Sequence, residues 1–402
     1  MWEVEFIPHP SSFIPYMKRI GILTGGGDVP GLNAAIKSLV YRFDDAGHEI
    51  IGLRRGWSSL LNIIPDPSAD NSAWVMPLNR LTTRAIDRSG GTILHTSRIN
   101  PSIIKPEHVP QHLASSVGSP DARGRYDLTA AALRVIDFLD LDAIVALGGD
   151  GTLTFARRLH KEGIPLIAIP KTMDNDVYGT DYCLGFSTAV TRSVMFINDL
   201  RTSAGSHERF LVVELFGRYS GETCLLSSYL ASVDRAVIAE VPFEFEKLYC
   251  LLARDKSENP SNYAVLAISE GATVVGGAMI ESGDADAYGN RRLGGIGGVL
   301  SDFLEKRTRE KVIYQRLAYL MRSGAPDSLD QLVANNFGSL AADLLRRGEA
   351  GKMVAVADGR YTAVPVEISG ETKKRVDVER FYDAAAYRPK VADVMGMPMF
   401  LH

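Results

Sequence analysis

Two short stretches put carboxylates where backbone is unusually accessible. Residues 146–153 read ALGGDGTL and residues 170–176 read PKTMDND. In the first, Gly149, Asp150, Gly151 and Thr152 follow the apolar run DAIV. The glycines let another molecule approach the main chain, and a helix starting near Thr152 would offer free N–H groups and the positive end of its dipole. Such a turn can seat a polyphosphate. A carboxylate fits there if a cation accompanies the phosphates, so Asp150 is read as a Mg²⁺ ligand, direct or through water. A bare strand-to-helix turn is the plain alternative. In the second stretch Lys171, Thr172, Asp174 and Asp176 stand just beyond a buried strand. If the segment is extended, Asp174 and Asp176 project to one side and Asn175 to the other. One acid can then take a proton from a hydroxyl nucleophile while Lys171 balances charge on a transferring phosphoryl group. The competing reading is a solvated turn with Asx hydrogen bonds.

A second glycine-rich turn, LTGGGDVPGLNAAI at residues 23–36, contains Gly26 and Gly27 and opens another helix. It is neither GxGxxG nor GxxxxGK[ST], so it is neither a dinucleotide fingerprint nor a Walker loop. Two such turns on one sheet suggest one ligand held from two sides. A phosphate-bearing substrate also needs cations, and Arg98, Arg209, Arg218 and Arg322 each fall at a strand end or glycine turn. Arginine's planar fork suits bidentate phosphate binding, although for any lone arginine a surface salt bridge is the plainer explanation. Glu270 closes the run AVLAISE and can accept from sugar hydroxyls or cap a helix.

These groups need elements that bring them together. Buried-strand runs recur as RIGILTGGG, LDAIVALGGD, IPLIAIPKT, RFLVVELFG and YAVLAISEG, with helix-like stretches between several of them. Residues 145–169 form one complete βαβ unit, whose parallel strands bring Asp150 and PKTMDND to the same sheet edge. The fold class expected is α/β, two lobes with parallel, doubly wound, Rossmann-like sheets. The chain has 402 residues, 46% hydrophobic and 23% charged, with net charge −4, which suits a large core and implies neither nucleic acid nor a membrane surface. Cys183, Cys224 and Cys250 are far apart with no CxxC, so a reducing, cytoplasmic setting is expected. The first residues carry acids and prolines rather than a signal-peptide core, and residues 281–298 are polar and glycine-rich enough for a loop.

Taken in order, GILTGGGDVPGLNAAI, GGDGT, PKTMDND, SHERFLVVELFGRYSG, AISEG and YLMRSGAPDSLD resemble the phosphofructokinase family across roughly residues 18–345. The resemblance implies transfer of a terminal phosphoryl group from a Mg²⁺-bound donor to the 1-hydroxyl of fructose 6-phosphate. It makes Asp174 the base and Asp150 the metal site, with Thr172, Arg98 and Arg218 around the migrating group. Donor contacts fall to Gly26, Gly27, Arg98, Gly149, Asp150, Gly151 and Thr152. Substrate contacts fall to Lys171, Thr172, Asp174, Asp176, Phe216, Gly217, Arg218, Glu270, Tyr319 and Arg322, and to Arg209, which in the family reaches a neighbouring subunit's site. A homodimer or homotetramer is implied. The lobes expected are a donor-binding lobe over 17–185, completed by about 320–350, and a sugar-phosphate lobe over 186–319, completed by about 351–402, after an extension over 1–16.

Donor choice is a conflict between two positions. Diphosphate users in the family carry aspartate where this chain has Gly151 and lysine where it has Lys171, while the common bacterial ATP enzymes carry glycine at both. A carboxylate at 151 would repel and crowd an ATP α-phosphate, so its absence favours ATP, and diphosphate is the alternative. Tyr319 replaces a sugar-phosphate-binding histidine and Phe216 a methionine. Ile313 replaces an arginine supplied across the subunit interface, for which Arg309 or Arg316 are candidates in a different register. A related acceptor such as sedoheptulose 7-phosphate would use much the same groups. NAD kinase also carries GGDG, but the acids of PKTMDND and the arginine set argue against it. A sugar-phosphate-sensing regulatory subunit is disfavoured because Asp150, Thr172 and Asp174 are all present.

Overall fold

The computed structural model describes residues 19–282, 292–391 and 394–396. The expected extension over 1–16 and residues 283–291 of the polar 281–298 segment lie outside the described residues. The apolar runs form two sheets. β1 (Arg19–Thr24), β2 (Glu49–Leu53), β3 (Val75–Leu78), β4 (Ala143–Gly148) and β5 (Leu166–Pro170) belong to the larger. β6 (Phe210–Leu215), β7 (Arg235–Val237) and β8 (Ala264–Ser269) belong to the smaller. A short pair, β9 (Glu281–Ser282) and β10 (Arg292–Leu293), precedes β11 (Ile313–Arg316), which completes the smaller sheet. β12 (Lys352–Ala357) and β13 (Arg360–Pro365) return to the larger one, and β14 (Tyr382–Asp383) and β15 (Arg388–Pro389) form a last pair.

The larger sheet runs β13-β12-β5-β4-β1-β2-β3, parallel inside with β3 and β13 antiparallel at its edges. The smaller runs β11-β6-β8-β7 and is parallel throughout. Both faces of the larger sheet are covered, which is why its strands read as nearly unbroken apolar runs. Val145, Leu147, Ile167 and Ile169 enter one core cluster, while Ile144, Ala146, Leu166 and Ala168 enter another on the opposite face. On the first face lies the helix Leu32–Asp45, which buries Leu32, Ile36, Leu39, Val40 and Phe43 at helical spacing. It crosses the helix Ser328–Arg346 so closely that a Cβ at Gly338 would stand 2.8 Å from the Ala35 carbonyl oxygen. The first cluster continues into the smaller sheet through Leu211, Val213, Val265 and Ala267, so one apolar mass joins the two lobes.

The α/β class with parallel sheets stands as expected. One boundary does not. The expected completion of the sugar-phosphate lobe by about 351–402 includes residues 352–365, but β12 pairs in parallel with β5 and carries β13 with it, so they extend the larger sheet. The stretch from Val376 through β14–β15 packs instead on the smaller sheet, where the Ala236 N–H donates to the Tyr387 carbonyl. Nothing local in GKMVAVADGRYTAV selects one sheet over the other, because both offer buried parallel neighbours.

From β1 the chain moves to β2 on one side, and from β4 to β5 on the other, so the reversal of strand order falls between β1 and β4. Open α/β sheets bind ligands in the crevice outside such a switch point. Both glycine turns sit there, joined by the Gly25 N–H donating to the Leu147 carbonyl at 2.9 Å. No helix among the described residues is long and apolar enough to cross a membrane.

Candidate active site

The C-terminal edges of the two sheets face each other across a cleft of about 600 Å³. The larger sheet contributes Gly26 and Gly27 after β1, Gly149 to Thr152 after β4, and Lys171 to Asp174 with Asp176 after β5. The smaller contributes Phe216 and Arg218 after β6, Glu270 after β8, Arg316 at the end of β11, and Tyr319 and Arg322 beyond it. Arg98 lines the same space.

The glycine turn after β4 opens the helix Asp150–Lys161 with Gly149 at its N-cap, so Asp150 is already helical and the start lies two residues earlier than expected. Beneath the turn the Trp57 indole donates to the Thr152 carbonyl at 3.1 Å, and its ring meets Phe155 edge-on at 5.1 Å. The Thr152 hydroxyl is buried with no hydrogen-bond partner among the described residues. Among the described residues no three His, Cys, Asp or Glu side chains cluster as a metal cage. One carboxylate at a helix N-terminus suits Mg²⁺, which is commonly held by one or two carboxylates with waters and substrate phosphates completing its shell. Asp150 therefore fits the expected metal.

Lys171 is 3% exposed, and its ammonium donates to the Gly27 carbonyl, tying the strand-end loop to the first glycine turn. Burial first, then the nearby Arg322, holds its pKa down to about 7. The PKTMDND segment is a turn, not extended, because Asn175 takes a left-handed φ of 53°. Asn175 is buried and anchors the turn: its amide donates to the Asp181 carbonyl at 2.9 Å and to Glu222 Oε2 at 3.0 Å, while its Oδ1 accepts from the Cys183 N–H at 2.8 Å. Asp174 and Asp176 nonetheless both line the cleft. The Arg218 N–H donates to Asp174 Oδ2 at 3.2 Å, and the Asp174 N–H to Thr172 Oγ1 at 3.2 Å. Burial, and then the charges of Asp176 and Glu270, push the Asp174 carboxyl up to about 8. Burial also raises Asp176, opposed by hydrogen bonding from Thr172.

On the facing wall Arg322 lies over the Tyr319 ring at 4.4 Å and near Phe216 at 5.9 Å, and pairs with Asp28 at 3.5 Å. Close approach explains one glycine: a Cβ on Gly27 would stand 2.8 Å from Arg322 Nη1. Glu270 is 7% exposed, is raised by burial, and pairs with Arg316 at 3.2 Å, so it acts as an ion-pair partner on the wall rather than a helix cap. Gly217 sits behind the wall, with φ 136° and Ser269 Oγ only 2.4 Å from where its Cβ would be. Arg209 is not in this cleft; it precedes β6, at the opposite edge of the smaller sheet.

Sequence reasoning missed Tyr219 and Lys373. Tyr219 follows Arg218, whose guanidinium lies 6.0 Å from its ring centre. Lys373 comes from the segment after β13, contacts Asp150, and reaches Asp176 Oδ2 at 3.3 Å. Burial holds its ammonium down to about 8.

A model of the phosphofructokinase family matches residues 19–345. The chain is 36% identical over 368 residues to "ATP-dependent 6-phosphofructokinase 3" of Streptomyces coelicolor, covering 91% of this chain and 98% of that one. It is 37% identical over 368 residues to "Pyrophosphate--fructose 6-phosphate 1-phosphotransferase" of Dictyoglomus thermophilum, covering 91% and 97%. Among solved structures, a pyrophosphate-dependent phosphofructokinase from Nitrosospira multiformis superposes with a TM-score of 0.72 at 16% identity, over 93% of this chain and 89% of that one. With two facing parallel sheets, a cleft at their carboxyl edges and relatives matched along nearly their whole length, this chain belongs to the phosphofructokinase family.

Proposed function

We propose that the protein transfers the terminal phosphoryl group of Mg²⁺-ATP to the 1-hydroxyl of fructose 6-phosphate, giving fructose 1,6-bisphosphate in the cytoplasm. The observation that carries this reading is Asp174 on the cleft floor, flanked by Lys171 on one wall and by Arg218 and Arg322 on the other. Asp174 takes the hydroxyl proton as the oxygen attacks phosphorus. Its raised carboxyl is poised for this, because a base titrating near the working pH combines availability with driving force. The Arg218 N–H holds the carboxylate oriented, and the side chains of Arg218 and Arg98 balance charge on the migrating group. Arg322, Glu270 and Tyr319 hold the acceptor's phosphate and sugar. Asp150 would hold Mg²⁺, which when bound screens charge between donor and acceptor. The N–H groups opening the helix Asp150–Lys161 cradle donor phosphates, with Gly151 leaving room for the α-phosphate.

A second reading, diphosphate as donor, is favoured by one observation: Lys171 is buried in the cleft, and a second ammonium, that of Lys373, reaches the turn bearing Asp150. Two cations suit a compact, highly charged donor. A coupled assay of the purified protein with fructose 6-phosphate, comparing ATP with diphosphate, separates the two. Faster turnover with ATP is expected; a clear preference for diphosphate promotes the second reading, and no turnover with either sinks both.

A further inference from the structure

The segment after β13 is fastened to the acid-bearing turn. Val177 and Lys373 form an antiparallel bridge, and the Lys374 N–H donates to the Asp176 carbonyl at 3.1 Å. Lys374 is buried beneath the turn, donating to the carbonyls of Thr180 and Asp181 at 3.1 and 3.0 Å, with Glu222 4.0 Å away. These contacts fix the backbone of residue 373, whose side chain then points into the cleft and touches both Asp150 and Asp176. Two other cleft cations are turned toward acids outside that pair: Arg322 toward Asp28, and Arg316 toward Glu214 and Glu270.

We infer that Lys373 is a donor-binding residue that contacts the terminal diphosphate unit shared by ATP and inorganic diphosphate. The inference rests on the phosphofructokinase reading of the cleft. A long, flexible ammonium anchored at its backbone can leave a carboxylate for a phosphate oxygen a few ångströms away without moving the chain. With Asp150 holding Mg²⁺, that carboxylate would no longer be free to pair with the ammonium, which would keep Asp176 Oδ2 at 3.3 Å and the donor's phosphate oxygens as its anionic partners. Lys374 by contrast is a positioning residue, since its ammonium is spent on main-chain carbonyls under the turn.

The test is isothermal titration of the full chain and of Lys373→Met and Lys373→Arg with Mg²⁺-ATP, with Mg²⁺-diphosphate and with fructose 6-phosphate, alongside steady-state kinetics and thermal unfolding. Loss of a charge-assisted contact should weaken donor binding by roughly 10- to 150-fold in Lys373→Met. Lys373→Arg should recover part of it, and fructose 6-phosphate binding and the unfolding midpoint should stay near the parent's. A larger loss for diphosphate than for ATP would place the contact on the donor with no nucleoside to add affinity. Donor binding that is equal in Lys373→Met and parent overturns the inference, as does a loss confined to the acceptor or explained by lowered stability. A parent that binds and turns over neither donor overturns the phosphofructokinase reading as well, so the two failures are distinguishable.

Discussion

At the scale of single residues, Asp174 concentrates the chemistry, and its charge state carries two measurable consequences. Its carboxyl is raised by burial to about 8, so in the native protein it keeps its proton at pH values where the unfolded chain has lost it. A group raised in this way contributes stability that is present below its unfolded value and lost as pH rises through about 8. Asp174→Asn should therefore unfold at a higher temperature than the parent, with the gap widening as pH is raised toward 8 and closing in mild acid. The same substitution should cut turnover by about 10²- to 10⁴-fold, the usual contribution of a general base. In the parent, kcat/KM should rise with pH along the limb set by this carboxyl. A variant with near-normal turnover, or a stability gap that widens in acid, would remove Asp174 from the role. Asp150 and Asp174 could be singled out by type and spacing, because each stands within two residues of a glycine or a hydroxyl just past the end of an apolar run. Lys373 could not, since 197 residues separate it from the Asp176 carboxylate it reaches.

At the scale of elements, the turn that opens the helix Asp150–Lys161 decides what length of polyphosphate can lie on it. Gly151→Asp would add a carboxylate and its bulk next to phosphates of the same sign, while Lys171 remains to support a diphosphate. Activity with ATP should fall steeply in that variant and activity with diphosphate should persist or rise; equal losses with both donors would mean that residue 151 does not set donor length. The strand-to-helix turns and the parallel interior strands were legible in the sequence, because glycine punctuation and unbroken apolar runs are local signals. The placement of β12 was not: its pairing with β5 depends on a partner nearly two hundred residues away, and its own pattern suits either sheet. The turned shape of PKTMDND was hidden for a related reason. Asn175 adopts its left-handed φ because Glu222, Asp181 and Cys183 satisfy its side chain, and none of these is announced by the seven residues themselves.

At the scale of the whole molecule, one continuous core ties the lobes together, yet Arg209 lies away from the cleft of its own chain. If it completes the site of a second copy, complementation will show it. Arg209→Ala and Asp174→Asn homo-oligomers should each be nearly inactive, whereas subunits co-expressed in equal amounts should recover about a quarter of parental activity, since half the pairs in a dimer are hybrids with one intact site. No recovery would confine each cleft to a single chain. The indole of Trp57, hydrogen-bonded to the first turn of the donor helix and shielded beneath it, also makes the chain its own optical sensor. Of three tryptophans, Trp2 lies outside the described residues and Trp74 sits beside the Arg55 guanidinium at 4.8 Å. Ultraviolet emission should shift when a donor analogue is added without acceptor, survive Trp74→Phe, and vanish in Trp57→Phe, so that occupancy of one half of the cleft can be followed in real time before any phosphoryl group moves.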